Sequence, residues 1–175
     1  MIRSQRLGNS PKEQMPVRIP CECGKETQAE EKKANTRKGP WLIHFFARTN
    51  DVVPGRDFLL SCPDKVRATM LAALKAVAEA PPPAFSGGGY WEAMHQEMAG
   101  YYEVRVDGPQ REHFRLFCVL VRDEDGSLQL GGPSLVILGG KSKAFRTVLS
   151  SKDYADIRVL GDEFSSTTPR SVERP

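Results

Sequence analysis

Two periods of apolar positions run along this chain, and the switch between them organises it. Trp41-Leu42-Ile43-His44-Phe45-Phe46 is a short apolar, partly aromatic run of strand type. Gly55 to Leu60 predicts a short helical turn. From Pro63-Asp64 the period is helical: Val66, Met70, Leu74 and Val77 follow at spacings of four, four and three and form one stripe. A proline and an acid suit the first turn, where backbone N–H groups lack partners and the dipole favours negative charge. Pro81-Pro82-Pro83 ends the helix, since each ring removes a donor and clashes with the preceding turn.

Ser86-Gly87-Gly88-Gly89 reads as a flexible loop, after which the period falls to two. Tyr102, Val104 and Val106 share one face of a strand over Tyr101–Asp107, with Tyr101, Glu103 and Arg105 on the other. In Glu112–Val121, Phe114, Leu116, Cys118 and Leu120 oppose His113, Arg115, Phe117 and Val119. Gly108-Pro109 supplies the turn between these strands, and Asp125-Gly126 is a second hairpin signal. Leu128–Leu130 is a candidate short strand, and Ser134–Gly140 a final strong one.

The implied class is α+β: an N-terminal strand and one or two helices packed on a three- to four-stranded antiparallel sheet. The Val66–Val77 helix is the expected cover for the apolar sheet face. The opposite face, with Glu103, Arg105, His113 and Arg115, is then expected to be open. The expected organisation is a flexible charged leader over 1–40, one domain over 41–164 and a flexible polar tail over 165–175. Within the leader, Glu26 to Lys38 is almost wholly charged or small, and Met15 is an alternative start.

At 175 residues and 39% apolar content the chain can bury one modest core. The net charge of +3 comes from its ends. Residues 1–40 carry nine Lys/Arg against five Asp/Glu, whereas 41–164 carry fourteen against sixteen. Any anion site in the domain must therefore be a local cluster. No apolar run approaches the roughly 20 residues that cross a bilayer, and the first thirty lack an apolar signal segment. A cytoplasmic protein that does not engage the membrane is the expectation.

Cys21, Cys23, Cys62 and Cys118 are not spaced as a disulfide framework. Cys21-x-Cys23 has no second Cys/His pair to complete a tetrahedral zinc site, so no metal is expected. Gly87-Gly88-Gly89 lacks the Lys-Ser/Thr of a phosphate loop. No cofactor is expected either.

The period-two region also carries three motifs. Met98-Ala99-Gly100-Tyr101-Tyr102-Glu103-Val104-Arg105 resembles the M-x-G-x-x-E-x-R that opens the sheet of the RelE/ParE superfamily. His113-Phe114-Arg115-Leu116-Phe117 resembles its aromatic-Arg-hydrophobic strand. Leu135-Val136-Ile137-Leu138-Gly139-Gly140-Lys141-Ser142-Lys143 resembles its last apolar strand with the glycine and basic residues that follow. Their order and spacing are similar to those of HigB-like, phage-derived toxins of type II toxin–antitoxin pairs. Tyr154-Ala155-Asp156-Ile157-Arg158 would fall in the short C-terminal segment that often follows.

The resemblance implies a ribosome-dependent mRNA endonuclease that needs no small-molecule cofactor. Its partners would be mRNA, the ribosome and a cognate antitoxin. The reaction it implies is attack of a ribose 2′-OH on the adjacent phosphate, which requires a base, an acid and a group that stabilises added negative charge. Arg115 stands at the family's arginine position, where its guanidinium suits bidentate phosphate binding. A strand arginine paired with Glu103 or Glu112 is the alternative. His113 shares its face and is the natural proton carrier near neutral pH, or else is structural. Lys143 and Tyr154 complete the candidate catalytic set, with a solvated turn and a core-covering tyrosine as their alternatives. Arg105, Lys141 and Arg146 are candidate RNA contacts, Arg105 otherwise pairing with Glu103 or Asp107. His44 and His95 read as packing or surface residues. The net acidic domain keeps two other readings open: a ParE-like, non-catalytic inhibitor of DNA gyrase, and a non-toxic interaction module.

Overall fold

A computed structural model describes residues 40–80 and 89–175. The expected leader with Cys21 and Cys23, the triple proline and most of the glycine loop lie outside the described residues. In chain order the elements are β1 (Leu42–Phe46), α1 (Pro54–Ser61), α2 (Asp64–Glu79), β2 (Trp91–Ala93), β3 (Tyr101–Asp107), β4 (Glu112–Val121), β5 (Ser134–Ala144), α3 (Ser151–Ser166) and β6 (Val172–Glu173). The strands form one sheet in the order β2-β3-β4-β5-β1-β6.

The α+β class is therefore found, but the sheet is larger than expected and mixed: six strands, with β1 parallel to β5. Three features account for the difference. After β1 the chain crosses by α1 and α2 to the far-edge strand β2, and the antiparallel run β2 to β5 returns to set β5 beside β1 as a parallel neighbour. Trp91 starts the three-residue β2 by stacking on Tyr102, ring centroids 4.9 Å apart. The stretch over 165–175, expected to be a tail, finishes α3 and adds β6, whose Val172 and Glu173 pair with Phe46 and Phe45.

The helical stripe packs as its spacing predicts. Val66, Met70, Leu74 and Val77 are at most 1% exposed and meet Phe45, Val104, Leu116, Leu135 and Ile137. Each such side chain contributes roughly 1.5–3 kcal/mol of transfer free energy. Leu128–Leu130 is a loop, not a strand. The buried Asp123 carboxylate accepts from the N–H groups of Leu128 (3.0 Å) and Leu130 (2.8 Å), while His44 Nε2 donates to the Leu130 carbonyl.

The opposite sheet face is not open along its length. Ile157 and Phe164 of α3 lie over Phe117, Val136 and Leu138. This helix starts at a capping box, with Ser150 Oγ accepting from Asp153 N–H and Asp153 accepting from Ser150 N–H. A bulge decides what α3 leaves uncovered. Phe117 pairs with Gly139 and Cys118 with Ile137, so Leu138 is an extra residue in β5. Leu138 and Gly139 both face α3, and beyond the bulge the odd-numbered residues take that face. Lys141 and Lys143 thereby join Arg115 and His113. No helix among the described residues is long and apolar enough to cross a membrane.

Candidate functional site

Cross-strand register assembles two polar rows just beyond the part of the face that α3 buries. Arg105, Arg115 and Lys141 stand directly opposite one another on β3, β4 and β5. Asp107, His113 and Lys143 form the next row, about 7 Å further along the strands. Five of the seven residues singled out from sequence thus share one patch.

Three cations in one row repel unless acids are interleaved. Glu103, whose side chain is 3% exposed, receives Arg105 Nε at 2.7 Å and Arg115 Nη1 at 2.6 Å. Arg105 also pairs with Glu92. Lys141 Nζ lies 2.7 Å from Asp156 and 3.3 Å from Asp153 on α3. The Asp156 hydrogen bond in particular holds the Lys141 ammonium above its ordinary range, while the Ser150 hydroxyl holds the Asp153 carboxyl below its own. This row is neutralised. Arg115 lies in the pairing considered as its alternative, yet its Nε is buried with no partner among the described residues.

The second row is different in kind. His113 Nδ1 donates to the Asp107 carboxylate, leaving Nε2 free to exchange a proton with something else. Lys143 Nζ donates to the Thr147 carbonyl, and no carboxylate pairs with it among the described residues. A groove of about 810 Å³ runs along the β3 edge toward the start of α2, lined by Arg105, His113 and Arg115 together with Lys65, Thr69 and Tyr90.

Tyr154 and Arg146 are placed apart from these rows. Tyr154, on the first turn of α3, meets the Phe117 ring edge-on at 6.3 Å as a packing contact. Arg146 lies past β5 with its guanidinium 5.5 Å from the Phe145 ring centroid. Phe145 and Arg111 were not singled out from sequence, although an aromatic between Lys143 and Arg146 is a recognisable pattern for nucleic-acid contact.

Neither buried cysteine offers a nucleophile: burial pushes the Cys62 thiol up to about 11 and Cys118 higher still. The described residues contain no group of three or more His, Cys, Asp or Glu able to hold a metal ion. Comparisons with protein-family models, with curated proteins and with solved structures found no match for the chain.

Proposed function

We propose that the chain is a RelE/HigB-like toxin of a type II toxin–antitoxin pair, acting as a ribosome-dependent mRNA endonuclease. One observation carries the reading: a histidine oriented by a carboxylate, His113 with Asp107, lines an open groove together with Arg115 and has Lys143 opposite it on the next strand. General-base work needs such an oriented imidazole, and a pentacovalent phosphorane needs cations where its charge develops.

In this mechanism His113 Nε2 takes the proton of a ribose 2′-OH as the oxygen attacks the adjacent phosphorus. Arg115 and Lys143 face the non-bridging oxygens. The bond from phosphorus to the 5′-oxygen breaks, that oxygen takes a proton from water, and the proton held on His113 Nε2 passes to the hydroxide so formed, which restores both. The products are a 2′,3′-cyclic phosphate and a 5′-OH end. Glu103 holds the Arg115 fork in place, and Tyr154 supports the sheet from beneath α3. A small antitoxin protein would silence the chain by covering this face.

The neutralised Arg105–Arg115–Lys141 row favours a second reading, a gyrase-directed inhibitor that cuts no RNA. Controlled expression in a bacterium separates the two when growth and mRNA 5′ ends are followed beside an Arg115→Ala control. New 5′-OH ends inside translated frames, absent in the control, are expected. Arrest with intact mRNA and a DNA-damage response would replace the ribonuclease by the gyrase reading.

A further inference from the structure

Beyond the two rows, Phe145 is 44% exposed in the turn that leaves β5. Its ring is surrounded by cationic and heteroaromatic groups: the Arg111 guanidinium at 5.7 Å, that of Arg146 at 5.5 Å and the His113 imidazole at 5.4 Å, tilted by 34°. The arrangement is built by the backbone. Phe145 N–H donates to the Arg111 carbonyl at 2.6 Å, joining the turn after β5 to the β3–β4 turn. Arg111, Lys143 and Arg146 have no carboxylate partner among the described residues, in contrast to the neutralised row behind them. A phenyl ring this exposed is only partly committed to the core, and the two guanidinium groups beside it have no carboxylate among the described residues to take their N–H donors.

We propose that Phe145, Arg111 and Arg146 form a binding site for single-stranded RNA next to the cleavage centre. A base stacks on the Phe145–guanidinium platform while Arg111, Arg146 and Lys143 take the flanking phosphates. Every base has a π-face and every nucleotide a phosphate, so such a platform binds without sequence readout. His113 touches both the platform and Asp107, so a nucleotide stacked on Phe145 sets its neighbour against His113 Nε2. The choice of RNA rests on the ribonuclease reading above.

The test uses the purified full chain and a short fluorescent oligoribonucleotide, single-stranded or annealed to its complement, with anisotropy as readout. The single strand should bind, and Phe145→Ala and Phe145→Leu should each weaken binding about tenfold, with Phe145→Trp restoring it. Arg111→Ala should lower the salt slope by about one. A wild-type chain that does not bind, a duplex bound as well as the single strand, or Phe145→Leu bound like wild type would each overturn the site. Phe145-dependent binding in a chain that creates no new mRNA ends removes the ribonuclease and leaves the site. New mRNA ends with binding indifferent to Phe145 do the reverse.

Discussion

Arg115 on β4 reaches diagonally to Glu103 on β3, Nη1 to Oε2 at 2.6 Å, and so ties the candidate phosphate-binding guanidinium to a carboxylate withdrawn from water. Glu103 simultaneously holds Arg105, so a single buried charge orients two arginines. Removing it should be expensive: Glu103→Gln is expected to lower stability by about 2–3 kcal/mol, below the full penalty for a broken buried pair because Glu92 still serves Arg105. Arg115→Ala should lose less, since Glu103 keeps Arg105. Urea unfolding of both variants measures this. A Glu103→Gln midpoint equal to wild type would mean that desolvation already cancels the pair.

The His113–Asp107 contact makes a graded kinetic prediction. His113→Ala should slow mRNA cleavage in a translating extract by ~10²-fold or more, the usual contribution of a positioned acid or base. Asp107→Asn keeps the imidazole but not its orienting charge, and its loss should be smaller. Because Asp107 is exposed, Asp107→Asn should not alter the unfolding midpoint appreciably. Equal cleavage by wild type and His113→Ala would leave His113 as a neighbour of Phe145 only.

Docking of α3 depends on charge at both ends of the pH scale. The Lys141 pKa is raised above 10.5, mainly by Asp156, so its stabilising effect is complete below that value and disappears as pH climbs through the raised one. The Asp153 pKa is lowered from 3.8, mainly by Ser150, so its effect is complete above 3.8 and disappears as pH falls through the lowered one. Melting temperature against pH should therefore show two arms. Lys141→Met should flatten the alkaline arm and, because Lys141 also serves Asp153, reduce the acid arm slightly, whereas Ser150→Ala should act on the acid arm. An alkaline arm unchanged by Lys141→Met would assign that titration to another group.

The local pattern was legible wherever one element decided its own burial. The Val66–Val77 stripe and the alternation in β3 and β4 carried through to packing because the helix and the strands turn apolar faces toward each other. What lay beyond reading depended on distant partners. The Leu138 bulge is a property of β4–β5 pairing, and no local signal in Leu135–Lys143 announces it. The cover supplied by α3 was missed although Tyr154, Ile157, Leu160 and Phe164 recur at spacings of three, three and four, because Gly161 and the interleaved charges weaken that stripe. Parity was enough to bring Arg105, His113 and Arg115 together and to pair Lys141 with Lys143, but the bulge put the two lysines on that face. Parity could not reveal that Glu103, on the same face, would be buried as their counter-ion.

At Gly161, α3 passes close to Tyr101 of β3. Gly161 lies in the middle of the helix, where alanine would ordinarily be favoured by about 1 kcal/mol. Here a Cβ would fall 2.1 Å from Tyr101 Oη and 2.9 Å from Tyr101 Cε1, so the phenol must swing away or the helix must lift. Tyr101 is itself half-buried, and burial holds its hydroxyl above the ordinary tyrosine range. Overpacking should outweigh propensity, and Gly161→Ala is expected to destabilise by ~1–3 kcal/mol. In a Tyr101→Phe background the shortest contact is gone while the ring contact stays, so the same substitution should cost less but not become neutral. Thermal unfolding of the four chains in this cycle measures the coupling directly. If Gly161→Ala raised stability in the wild-type background, helix propensity would dominate and the contact between α3 and β3 would be looser than this geometry requires.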